Sequence, residues 1–121
     1  MHEQVVELLE QKKYHEVSDI LKELTAPDVA ALLDEIPDIF LPTVYRLLPK
    51  ELAAEVFVEM DVDQQEMLIH RFTDTELRET LDELYLDDTV DIIEEMPATV
   101  VKRILRNTDP QTRFMINQVL K

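Results

Sequence analysis

A chain of 121 residues with 45% hydrophobic residues is long enough for a packed domain and too apolar for a disordered acidic tail. It has no glycine, which argues against tight hairpins, phosphate-cradling loops and dinucleotide turns, and no cysteine, which removes disulfides and thiolate metal sites. Its net charge of −15 repels nucleic-acid phosphates and anionic lipid headgroups and attracts cations or basic partners, and no apolar run reaches the length of a membrane span.

In chain order, the first 24 residues carry two helical apolar patterns, Val5-Val6-Leu8-Leu9 and Val17-Ile20-Leu21-Leu24. From Thr25 a twelve-residue beat takes over: TAPDVAALLDEI, PDIFLPTVYRLL, PKELAAEVFVEM, DVDQQEMLIHRF, TDTELRETLDEL, YLDDTVDIIEEM, PATVVKRILRNT and DPQTRFMINQVL. Places 5, 8, 9 and 12 of each block are spaced i, i+3, i+4, i+7 and line one helical face. Place 8 reads Leu32, Val44, Val56, Leu68, Thr80, Ile92, Ile104, Ile116, and place 1 carries the punctuation, mostly Thr, Pro and Asp. Thr73 with Glu76 forms a capping box, Asp61 with Gln64 resembles one, and Asp109-Pro110 reads as an N-cap followed by a first-turn proline. Pro42 falls inside its block and is expected to shorten that helix or displace its start.

Helices of about two turns do not stand alone, because nucleation costs more than a few hydrogen bonds return. The fold class that follows is all-α: a right-handed α-superhelix of about ten short helices, read as a single domain over 1–121, with two leading helices in 1–24 and eight units in 25–120.

Catalytic patterns are missing. His2, His15 and His70 are scattered, and Ser18 has no glycine-rich elbow or partner pattern around it, so no catalytic residue is assigned and the chain is not expected to be an enzyme. Met67 and Met115 fall at place 7, off the apolar stripe, and mark a candidate contact surface.

The acidic cluster Asp87, Asp88, Asp91, Glu94 and Glu95 sits on the face opposite Ile92, Ile93 and Met96. Like charges four residues apart destabilise a helix by a few tenths of a kcal/mol per pair, roughly. Asp87 and Asp88 gain some relief from the dipole at the helix N-terminus, whereas Asp91, Glu94 and Glu95 gain little. Two readings stand: a solvated acidic face, or a site for a hard cation that takes several carboxylate oxygens at once. One helix face offers an ion only one or two carboxylates, so such a site would be weak and water-rich, which suits Mg2+ better than Ca2+.

LLP at 47–49, AAEVFVEM at 53–60 and above all LDDTVDIIEEMP at 86–97 make the chain, from about Val5 to Leu120, resemble the N-terminal cytosolic domain of MgtE-type magnesium transporters. The resemblance implies a regulatory domain on the cytoplasmic side of the cell membrane that precedes a pair of CBS domains and a pore in a homodimeric parent. Those CBS and membrane parts are expected outside these residues. It further implies that Mg2+ is held weakly by Glu55, Asp87 and Asp91, with Asp88 beside them, and that it is shared with the CBS partner in a closed form. A helical-repeat protein-interaction module, with the acidic row serving solubility or steering, is the other reading. Neither reading involves nucleic acid or insertion of this segment into a membrane.

Overall fold

The computed structural model describes residues 1–120, and among them the chain is all-α. Ten helices follow in order: α1 His2–Glu10, α2 Tyr14–Lys22, α3 Ala26–Glu35, α4 Leu41–Arg46, α5 Lys50–Glu59, α6 Val62–Arg71, α7 Asp74–Asp82, α8 Leu86–Glu94, α9 Ala98–Arg106 and α10 Pro110–Leu120. None of them is long and apolar enough to cross a membrane.

The punctuation of the repeat places these helices. Thr25, Asp61 and Thr73 accept a hydrogen bond from the backbone N–H three residues on, as helix N-caps do, and Thr73 closes the full capping box with Glu76. Pro42 delays its helix: the block starting at Pro37 opens with a 3₁₀ turn, Asp38–Phe40, before the six-residue α4 begins with proline in its first turn. In the absence of glycine, most helices end in right-handed or extended residues, and Lys12 at φ 60° is the one described residue in the left-handed region.

The chain divides into two compact units, 1–60 and 61–121. In the first, α1 packs on α2 and α3 on α5 around Val5, Val17, Leu21, Leu33, Leu41 and Phe57, all almost fully buried. The Tyr45 ring meets Phe57 edge to face at 6.2 Å, and its hydroxyl donates to the Ala53 carbonyl at 3.0 Å, which satisfies the polar end of a buried aromatic.

In the second unit α8 packs on α10 and α6 on α9. The second pairing carries a contact the apolar beat does not announce. Arg103 of α9 reaches the C-terminal end of α6, where its guanidinium donates to the carbonyls of Ile69 and Phe72, the latter at 2.6 Å, and meets Asp74 of α7 at 3.2 Å. The last carbonyls of a helix have no intrahelical partner, and a cation is well placed at that negative end. Arg113 of α10 does the same for α9, donating to the carbonyls of Leu105 and Thr108 at 2.9 Å each. With glycine absent from the helix ends, arginines from later helices supply C-terminal caps.

The Arg103 side chain is only 21% exposed, so most of its worth lies in the carbonyl bonds rather than in the ion pair with exposed Asp74. Arg103→Ala is expected to destabilise α6 and α9 by about 2 kcal/mol, with Arg103→Lys recovering only part because an ammonium cannot fork between two carbonyls. Amide hydrogen exchange in α6 should quicken correspondingly, and unchanged protection would remove the capping role.

Asp109 caps α10, accepting from the Thr112 N–H at 2.8 Å and from the Thr112 hydroxyl at 2.7 Å. These bonds, the backbone one first, hold the exposed carboxyl below its ordinary value of 3.8. A depressed folded-state value contributes stability that is present above the ordinary value and is lost as pH falls through the folded one. The Thr112 amide should therefore lose exchange protection as pH drops below 3.8. Asp109→Asn, whose amide oxygen caps without titrating, should remove that dependence.

Candidate functional site

The acidic cluster lies on α8, whose inward face is Thr89, Val90, Ile92 and Ile93, with Met96 buried just beyond. Asp87, Asp91, Glu94 and Glu95 are exposed and Asp88 is half-buried, so the carboxylates occupy the outer side of the helix. Asp87 and Asp88 stand in the first turn, where unpaired N–H groups favour anions. The N-cap residue Tyr85 offers no side-chain acceptor there. At the other end the dipole opposes the charges: no basic residue lies in the last turn, which instead carries Glu94, with Glu95 as the C-cap. No salt bridge to any of the five carboxylates occurs among the described residues.

Glu55 belongs to the first unit, on α5, whose buried residues are Ala53, Ala54, Val56 and Phe57. It is exposed, and exposed Glu51 and Glu59 stand four residues to either side, a row of carboxylates along one helix face of which the family resemblance implied only the middle member.

Among the described residues no three His, Cys, Asp or Glu side chains come together in a way that would hold a metal ion. Carboxylate oxygens are the right donors for a hard cation, and Asp87 and Asp88 each stand about one turn from Asp91. The donor type fits Mg2+ and the donor number does not complete its octahedron, so an ion here would keep several waters or take oxygens from elsewhere.

The histidines each face a carboxylate and not one another. His2 Nδ1 of α1 lies 2.6 Å from Glu35 Oε2 of α3, His15 lies 3.6 Å from Asp19, and His70 lies 3.5 Å from Glu66. These pairs tie neighbouring turns or helices.

Short amphipathic helices that bury one stripe and turn a row of unpaired carboxylates outward define a helical-repeat domain with an acidic, cation-attracting face. The model of one such family, the MgtE intracellular N domain, matches residues 41–121, and the chain belongs to that family. A search of curated proteins gives no match. Among solved structures, the chain is similar to the cytosolic domain of the Mg2+ channel MgtE, crystallised in complex with ATP, with 30% identity and a TM-score of 0.80. That similarity covers 97% of this chain and 48% of the other, so the chain spans about half the length of that relative.

The electrostatics of α8 can be measured directly. Asp91→Asn, which relieves repulsion mid-helix, is expected to stabilise the protein by a few tenths of a kcal/mol, roughly, at low salt. Asp87→Asn, which gives up a favourable charge at the N-terminus, is expected to be neutral or slightly destabilising. Thermal denaturation of both variants at low and high salt checks this, and identical responses would contradict the dipole argument.

Proposed function

We propose that this domain is a cytosolic Mg2+-responsive regulatory element of a magnesium transporter or channel and has no catalytic role. The observation that carries the reading is the α8 row itself, five carboxylates on the outer side of the helix with no ion pair among the described residues, on a domain of the MgtE family. Asp87 and Asp91, with half-buried Asp88 beside them, would supply part of the shell of a hydrated Mg2+, and Glu55 would supply part of another. The remaining oxygens would come from water and from an acidic surface of CBS domains in the same homodimeric parent.

The switch is electrostatic. At low Mg2+ two acidic surfaces repel and the domains stand apart. As Mg2+ rises, ions bridge or screen them and the closed pairing gains. An ion shifts such an equilibrium only by the difference in its affinity for the closed and open forms, which makes a site completed at the interface more effective than one complete in either part.

The test joins the chain to its CBS pair and follows closure against Mg2+ by distance-sensitive fluorescence or protease resistance. Asp87→Asn with Asp91→Asn is expected to move the Mg2+ midpoint upward by about tenfold, the equivalent of roughly 1.4 kcal/mol of lost differential affinity. An unchanged midpoint would sink the assignment of these residues.

A further inference from the structure

The repeat leaves parts of its apolar stripe uncovered, at Leu120 near the end and, over three consecutive stripe positions, in the block that starts at Thr73. Places 8, 9 and 12 are buried in most blocks, yet Thr80 and Leu81 of α7 and Leu84 just after it are only half-buried. Leu81 and Leu84 form one wall of an open cavity of about 300 Å³ within the second unit, and the start of α8 with Tyr85 and Met115 of α10 form the others. Met115 is 38% exposed and stands off the apolar stripe of its helix.

Tyr85 is the anomaly in this groove. It occupies place 1, where every other block has Thr, Pro or Asp. Its side chain makes no capping bond and is 82% exposed. Pro37, Pro49 and Pro97 make no capping bond either, so what sets Tyr85 apart is a large ring left in solvent. Exposed tyrosines beside apolar hollows are typical anchors for a partner, since the ring buries area at little entropic cost and the hydroxyl still bonds.

The charge around the groove selects the partner. Asp82 and Asp109 stand on its lining. The lining includes no basic residue, and Arg78 of the neighbouring α7 directs its guanidinium to Asn107 at 3.2 Å. Anionic lipid, nucleic acid and acidic peptides are repelled; a second copy of this chain is acidic overall, and of the basic residues in its 98–120 stretch Arg103 and Arg113 are already bonded within the chain.

We propose that the α7–α8–α10 groove docks a basic polypeptide segment, one that inserts a large apolar side chain against Leu81, Leu84, Tyr85 and Met115 and sets lysines or arginines against the acidic rim. Apolar burial supplies the hold and charge supplies orientation and encounter rate. The surface needs no metal and is separate from the Mg2+ reading of Asp87 and Asp91, so either can fail without the other.

The test is a display selection of randomised 16-residue peptides against the intact chain in EDTA. Enriched peptides are expected to carry an apolar anchor flanked by lysine or arginine. Their synthetic forms should shift the amide resonances of Thr89 and Thr112 and bind Tyr85→Ala at least tenfold more weakly, while Asp87→Asn with Asp91→Asn leaves the site of the shifts unchanged. The fold of Tyr85→Ala is checked by circular dichroism, and with this side chain so exposed it should be intact. The proposal is overturned if no basic-apolar consensus emerges or if Tyr85→Ala binds as well as the unaltered chain. It is equally overturned if sedimentation shows self-association that Tyr85→Ala abolishes, which would assign the groove to a second copy.

Discussion

Everything in this protein depends on helices too short to persist by themselves. The longest among the described residues, α10, has 11 residues, below the length at which isolated helices become even marginal in water. Each must recover from its neighbours what its own hydrogen bonds do not supply, and the means is a four-position apolar stripe repeated every twelve residues. Val56, Leu68, Ile104 and Ile116 at the same place of four different blocks are all almost fully buried. Because the stripe uses one side of each helix, the other side is released from structural duty, and in this chain it is given over to carboxylates.

That division explains why an acidic face is tolerated on α8. The cost of like charges on an exposed helix is tenths of a kcal/mol per pair, roughly, whereas burying a residue such as Ile92 or Ile93 gains about 2 kcal/mol. The stripe outweighs the repulsion, so the face is free to respond to its surroundings. Placing charges against the dipole at the C-terminal end of α8 makes it more responsive, since a counter-cation there removes an existing penalty.

The fold was largely legible because its two signals are local. Period and punctuation place nearly every helix, and Thr73, Asp61 and Asp109 cap as their side chains suggest. Pro42 displaces the start of α4 for the same reason that proline is disfavoured inside a helix: it lacks an N–H and its ring crowds the preceding turn. The partnership of Arg103 with the end of α6 was not legible, since nothing in a local window links residues 31 to 34 positions apart. The same holds for the incomplete burial of Leu81 and Leu84, whose pattern matches that of covered residues elsewhere. At the candidate site, residue types and the exposed face could be read from spacing on one helix. Whether carboxylates converge could not, because convergence between helices is a property of packing.

The reach of Arg103 also sets an order of events. A chain emerging from the ribosome presents α6 and α7 well before α9, and until α9 arrives the carbonyls of Ile69 and Phe72 have only water as a partner. Contacts at that sequence separation carry a loop-closure cost that neighbouring-helix contacts avoid, so the pairing of α6 with α9 belongs to the later stages of folding. The end of α6 should consequently gain its native protection only when Arg103 docks, and not as soon as α6 itself has been made.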